Sequence, residues 1–290
     1  MNALTQKDIR ITITLADPNT RFPGSNSNVL VLYGLRVSLN AIAVKNTVPQ
    51  VTARIYQMTP EQIQALTVIF VNKAPNLTEN TILIEVNNGN GFHKFFEGGI
   101  TWAWPEFNET PEVPFFIMAN IGYQNQTTAA QPTTFPHSIS IANAVQAIAT
   151  KMGYTLTVDG VSGVLKGGMY LTGTLKDQLE EIQDAAHIDL YYSTAHKHIT
   201  ITPAHQGVSK ASGYVLQAPE LLRWPALDRG SVTFQSLYNP IFAEWQSFTV
   251  KSVVPNANGL WTPTYMTHEL QTQLPGGAWC TTIRAVSANP

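Results

Sequence analysis

A single cysteine, Cys280, excludes an internal disulfide framework. Without a recognisable His partner motif it reads as a packed thiol on a strand rather than as a nucleophile. Charge is also scarce: Asp, Glu, Lys and Arg make up 12% of the chain, and the formal net charge is -2. No Lys/Arg cluster is present, so sequence-wide nucleic-acid binding is not expected. No stretch approaches the ~20 apolar residues of a membrane-spanning helix. The start, Met1-Asn2-Ala3-Leu4-Thr5-Gln6-Lys7-Asp8, has no apolar targeting core, and the expectation is a protein made and folded in a cytosol. Asn76-Leu77-Thr78, Asn108-Glu109-Thr110 and Asn125-Gln126-Thr127 then read as products of an Asn/Thr-rich composition, not as glycan sites.

Catalytic signatures are missing as well. Gly163, Gly167, Gly168 and Gly173 lack the spacing of a phosphate-binding loop and read as loop glycines. No Gly-x-Ser-x-Gly, His-Glu-x-x-His or Cys/His constellation occurs, so the expectation is a non-enzyme with no catalytic, cofactor-binding or metal residues and no cofactor. His187, His196, His198 and His205 form the best metal-like cluster, yet no Cys, Asp or Glu at ligand spacing accompanies them. Glu180, Glu181 and Asp184 lie off the apolar stripe of a predicted helix and read as its solvated face.

What remains is abundant strand pattern. Ile9, Ile11, Ile13 and Leu15 alternate within Asp8–Leu15, and Val29–Tyr33, Arg36–Val44 and Gln50–Gln57 continue the series. Asp17-Pro18, Pro23-Gly24 and Thr47-Val48-Pro49 separate them as turns. Thr59, Pro60 and Gln62 spell a capped helix start, with the helix ending near Leu66. Thr81–Val86, the Asn88-Gly89 and Asn90-Gly91 turn pairs, Lys94–Phe96, Gly99–Trp104 and Phe115–Ile121 bring the total to about seven strands, enough for a closed barrel.

Gln124–Pro136 has no period and reads as a linker. Ser138 or Ser140 then caps a helix with Ile141, Val145, Ile148 and Met152 on one face and Gly153 as its stop, and Tyr154–Val158 follows as a strand. Thr174 and Asp177 open a second helix bearing Leu175, Leu179, Ile182 and Ala186. Burying three large apolar residues contributes roughly 5–8 kcal/mol per helix before ordering entropy, enough to dock both on the hairpin of Ile188–Tyr192 and Lys197–Thr202. Strand signals return from Tyr214, at Ser231–Leu237, Ser247–Val254, Trp261–Thr267 and Trp279–Val286. Trp102, Trp104, Trp224, Trp245, Trp261 and Trp279 are scattered along these strands, which favours core or interface packing over a sugar-stacking platform.

Several stretches carry a resemblance. Phe95-Phe96-Glu97-Gly98-Gly99-Ile100, Gly173-Thr174-Leu175-Lys176-Asp177-Gln178-Leu179, Leu237-Tyr238-Asn239-Pro240, Asn258-Gly259-Leu260-Trp261, Thr267-His268-Glu269 and Gly276-Gly277-Ala278-Trp279-Cys280-Thr281-Thr282-Ile283 resemble, in order and spacing, the baseplate hub family of bacteriophage tails, relatives of the base of type VI secretion spikes. One departure stands out: Ala243-Glu244-Trp245-Gln246 falls where many members of that family place Pro-Gly or a lone Gly before a strand.

The resemblance implies a mainly β (α+β) fold with two tail-tube-like β-barrel domains and a small α/β domain between them: 1–123, first barrel; 124–136, linker; 137–206, α/β; 207–290, second barrel. It implies a virion structural protein of the tail baseplate, assembled in the host bacterial cytoplasm. The implied partners are two further copies in a homotrimer, the tail tube protein, a central spike or tip, wedge or adaptor proteins and, as a further candidate, the tape measure protein. Phage DNA would cross the lumen without specific binding. Such a pseudo-sixfold ring adapts a sixfold tube to a threefold spike. The alternatives are a β-rich glycan-binding adsorption protein of the tail tip, which would use the tryptophans, and a peptidoglycan hydrolase, which would need a carboxylate pair.

Overall fold

A computed structural model describes residues 7–19, 21–22, 25–66, 80–108 and 112–288. The expected Pro23-Gly24 turn and the sequon at 76–78 lie outside the described residues, and that at 108–110 lies largely outside them. The chain is mainly β, with one short helix early in the sequence and its two long helices between residues 141 and 186. Its residues separate into two compact units: 1–41, 50–123 and 268–279 form the first, and 42–49, 124–267 and 280–290 the second.

The first unit contains strands β1 (Asp8–Thr14), β2 (Val29–Tyr33), most of β3 (Val37–Val44), β4 (Gln50–Ile55), helix α1 (Pro60–Leu66) and strands β5 (Thr81–Asn87), β6 (Phe92–Pro105) and β7 (Phe115–Asn120). Neighbouring strands run in the order β3-β4-β7-β6-β5-β1-β2. The alternation in β1 decides its face: Ile9, Ile11 and Ile13 pair in register with Val86, Ile84 and Ile82 of β5, and all six are buried. The α1 cap forms as its residues predict, with Gln62 N–H donating to Thr59 Oγ1 at 3.3 Å and Thr59 N–H to Gln62 Oε1 at 3.0 Å. Asn87 Oδ1 accepts the N–H groups of Gly89 and Gly91 in the β5–β6 turn.

Where two strands are expected at 94–96 and 99–104, β6 is one continuous 14-residue strand whose register shifts twice. Gly98 permits this. A Cβ there would meet the Asn120 carbonyl oxygen at 2.4 Å, so only glycine lets β6 lie this close to β7.

The second unit continues with α2 (Gln124–Thr127), β8 (Thr133–Phe135), β9 (Ile139–Ser140), α3 (Ile141–Met152), β10 (Thr155–Val158), β11 (Val164–Leu165), β12 (Met169–Leu171), α4 (Leu175–Ala186), β13 (Ile188–Tyr192) and β14 (His198–Pro203). The stretch 124–136, expected to be a linker, holds α2 and β8, and β8 pairs antiparallel with β12. It is fastened by polar groups rather than by an apolar stripe. The fully buried Gln178 of α4 accepts from Thr133 Oγ1 at 2.7 Å and donates to the Gln131 carbonyl at 3.2 Å, which explains why the stretch shows no period.

Ser140 caps α3 and Gly153 closes it in the left-handed conformation; Thr174 and Asp177 form the full capping box of α4. The α3 stripe Ile141, Val145, Ile148 and Met152 is buried throughout. On α4, Leu179 and Ile182 are buried, while Leu175 and Ala186 are half-buried. The helices pack on each other, on β10 and on β13; β14 pairs parallel with β10 and antiparallel with β13.

Strands β15 (Ala211–Leu216), β16 (Ala226–Asp228), β17 (Ser231–Leu237), β18 (Ser247–Val250), most of β19 (Gly259–Gln271) and nearly all of β20 (Trp279–Ser287) complete the unit. Their aromatic core gathers Phe234, Phe242, Trp245, Phe248 and Trp261, and Tyr191 of β13 belongs to it. Trp245 Nε1–H donates to the Tyr192 carbonyl at 2.7 Å. The divisions expected at 137–206 and 207–290 therefore fall inside a single unit, because β13 serves both parts. Cys280 is a buried thiol on β20 whose Sγ accepts from Gln235 Nε2 at 3.7 Å.

Replacing Ile182, 0% exposed, by Asp buries an unpaired carboxylate. The expected loss is about 3–5 kcal/mol. Thermal denaturation checks this, and an unchanged melting temperature would remove Ile182 from the core.

Candidate interaction surfaces

In an antiparallel sheet the outermost strands carry unpaired N–H and C=O groups, and natural edges are usually blunted by Lys, Pro or a bulge. Among the described residues β2 pairs only with β1, over five consecutive positions, and β16 pairs only with β17. The sequence of β2, Val-Leu-Val-Leu-Tyr, contains none of the blunting devices. Its outward residues Val29, Val31 and Tyr33 are 37%, 55% and 56% exposed. Leu227 of β16 is likewise exposed.

Beside β2 the outward face turns polar. Arg10 clasps Glu85 across β1 and β5 with bonds of 2.7 and 2.8 Å, and its guanidinium lies 4.4 Å from the centre of the Phe92 ring. The Arg10 hydrogen bond holds the Glu85 carboxyl below its ordinary pKa. Further along the unit, Trp102 and Trp104 project from the same side of β6, ring centres 6.3 Å apart, and Trp104 lies on Phe116 at 4.3 Å. Arg54 clasps Glu106 beside them.

The six tryptophans thus divide. Trp245, Trp261 and Trp279 are buried, whereas Trp102, Trp104 and Trp224 are exposed, the last by 80%. Alternation could not separate them, since Trp224 and Trp245 lie outside the strands and which face of a strand is covered is set by segments distant in sequence.

The histidines do not converge. His187 caps α4, His196 Nε2 lies 3.9 Å from Glu244, His198 contacts Thr155 and Thr200, and the His205 backbone N–H donates to Asp189. Among the described residues no group of three or more His, Cys, Asp or Glu is placed to hold a metal ion. Glu180 pairs with Lys176 one turn away, and Glu181 and Asp184 are exposed. Gly167 lets its loop lie against Pro136, where a Cβ would meet the carbonyl oxygen at 2.7 Å.

Two polar features escaped the sequence reading. Asp189, nearly buried, accepts from Lys45 Nζ at 3.0 Å, Asn46 Nδ2 at 2.8 Å and His205 N–H at 2.9 Å. Burial alone would raise its pKa, but these donors outweigh it and leave the carboxyl below the ordinary value. His268, buried in the first unit edge-on to Phe95, has its pKa lowered by burial from 6.5 to about 4. Neither burial has a local sequence signal, because the surrounding groups are brought together only by the fold.

Comparison with known proteins gives a consistent likeness of fold. No family model matches the chain, and no curated protein matches it. Among solved structures, the 43 kDa tail protein of prophage MuSo2 from Shewanella oneidensis aligns over 98% of both chains at 7% identity, with a TM-score of 0.61. The tail protein of Neisseria meningitidis MC58 aligns over 97% of this chain and 96% of its own, at 7% identity and a TM-score of 0.60. The E. coli c3393 protein, a component of the type VI secretion system with structural similarity to the T4 bacteriophage tail proteins gp27 and gp5, aligns over 92% of this chain and 76% of its own, at 9% identity and a TM-score of 0.60. The fold is therefore that of phage-tail and type VI secretion proteins along nearly its full length.

The His268 geometry sets a pH dependence. A His with a lowered folded pKa stays neutral in the native state while the unfolded chain takes up a proton below 6.5. Stability is therefore fully present above pH 6.5 and falls as the pH drops towards 4, by up to about 3 kcal/mol. Denaturant titrations between pH 7 and 4 measure the slope; His268→Phe is expected to flatten it, and an unchanged slope would clear His268 of the effect.

Proposed function

We propose that the chain is a structural baseplate hub of a phage tail, a homotrimeric pseudo-sixfold ring that adapts a sixfold tail tube to a threefold spike or tip and lines the DNA channel. The observation that carries this reading is the fold match to a phage tail protein over 98% of both chains. The apolar edge of β2, open among the described residues, supports it, since a ring of copies would cover that edge by adding a strand. The open edge of β16 offers the second contact of a head-to-tail assembly. Scarce charge supports it too, because interface cores are depleted in Lys, Glu and Asp.

In this reading the partners are the tube protein, the spike or tip, wedge or adaptor proteins and the tape measure protein, the site of action is the virion tail baseplate after assembly in the host cytoplasm, and DNA passes without specific contacts. The work is done by interfaces rather than by bond chemistry, and a cell-wall zymogram is expected to stay blank.

The exposed Trp102–Trp104 pair favours one second reading, a glycan-binding adsorption protein of the tail tip. Binding of the purified protein to a glycan array, lost in Trp102→Ala, would favour it.

Sedimentation of the purified protein is expected to give three times the 31.8 kDa mass of one chain. Val31→Lys places a charge in the middle of the open edge and is expected to leave monomers with an unchanged melting temperature. A wild-type monomer in the presence of tube and spike proteins, or trimers that persist in Val31→Lys, would count against the edge as the contact.

A further inference from the structure

A cleft of about 710 Å³ opens on the second unit between the segment 217–225 and the turn 251–258. Backbone pairing builds its first wall. Leu222 N–H donates to the Gln235 carbonyl at 2.8 Å and Leu237 N–H to the Glu220 carbonyl at 2.9 Å, so residues 220–222 follow one end of β17 while β16 follows the other. Between them Arg223-Trp224-Pro225 leaves the ladder; Pro225 is buried, and Trp224 is left 80% exposed. Val253, 75% exposed, and Leu222 complete the apolar lining, with Leu221 packed on the aromatic core beneath.

The charges on this cleft are of one sign. Arg223 and Lys251 both line it, and neither has an acidic partner among the described residues, whereas Arg10, Arg36, Lys45, Arg54, Lys94, Lys176 and Arg284 each do. The nearby Glu220 is engaged by the Tyr214 hydroxyl. A tryptophan and an isobutyl side chain beside two uncommitted cations form an apolar anchor site with a positive rim, the composition of a protein-recognition hot spot.

We infer that this cleft docks an extended segment of another protein in which apolar residues alternate with carboxylates. Apolar side chains would fill the space against Trp224, Val253 and Leu222, and carboxylates would meet Arg223 and Lys251. A second copy of this chain is the poorer occupant: its own apolar open edge, Val29–Tyr33, brings no acidic residue to the two cations. The inference stands on the cleft alone and does not depend on the trimer.

The test uses the full chain and a fluorescein-labelled peptide of sequence Glu-Val-Glu-Leu-Glu-Val, with its counterpart carrying Lys in place of Glu, followed by anisotropy. Saturable binding of the acidic peptide, weakened by about tenfold in Arg223→Glu/Lys251→Glu and in Trp224→Ala, is expected. Rising salt should weaken it, and the lysine peptide should not bind. All substituted side chains are exposed, so melting temperatures should match the wild type. Equal binding of both peptides, no binding of the acidic one, or binding that survives both variants would overturn the inference. So would a fall in oligomeric mass on Trp224→Ala, which would make the cleft a contact between copies.

Discussion

The constraint on which the rest of this structure depends is the obligation of a sheet to pair its backbone. Inside the first unit every strand from β4 to β1 has neighbours on both sides, and the obligation is passed outward until it reaches β2, which among the described residues pairs on one side only. The scarce charges follow from the same constraint. Arg10–Glu85, Arg54–Glu106 and Arg36–Glu112 link segments far apart in sequence, and Arg10–Glu85 sits in register between adjacent strands. Exposed pairs of this kind stabilise too little to hold a fold together, but they disfavour a one-residue slip that would separate them. Charge spent on register is charge withheld from the β2 edge, which among the described residues is apolar and open.

The second unit solves a different problem, that of docking a helical segment on strands without a separate core. Asp189 provides the polar fastening: Asn46 both donates to its carboxylate and exchanges two bonds with the backbone of Leu190, so residues 45–46 extend the β13 edge. Tyr191, next in line, points into the aromatic core, and Tyr192 accepts the Trp245 indole through its carbonyl. The four consecutive residues Asp189–Tyr192 of β13 therefore face three sets of partners. An Asp removed from this arrangement would leave Lys45 without its acid and Asn46 without its acceptor, a larger loss than one surface pair.

Much of this was legible in the residues. The caps of α1, α3 and α4, the stripe of α3 and the alternation of β1 are local signals, and the structure places them as their chemistry predicts. What was not legible depends on partners distant in sequence. The continuity of β6 needed the approach of Asn120 to Gly98; the order in 124–136 needed Gln178; the division of the tryptophans needed to know which face of each strand is covered. Open edges are the extreme case, because an edge is defined by a neighbour that is missing, and no single strand's sequence encodes that.

Ala243-Glu244-Trp245-Gln246 forms its turn without a glycine. Trp245 closes a short 3-10 turn, Pro240–Glu244, at a φ of +59°, the left-handed region in which a glycine costs nothing. A non-glycine residue held there costs on the order of 1–3 kcal/mol. The indole offsets it: the side chain is 1% exposed, meets Tyr191 edge-to-face at 5.4 Å and donates a buried hydrogen bond to Tyr192. Burying so large an aromatic contributes about 2–3 kcal/mol or more, so strain and packing nearly balance. A glycine would release the turn and leave a cavity in the core that joins β13 to the later strands. In this chain the turn into β18 is therefore closed by packing and a buried hydrogen bond rather than by the conformational freedom of a glycine.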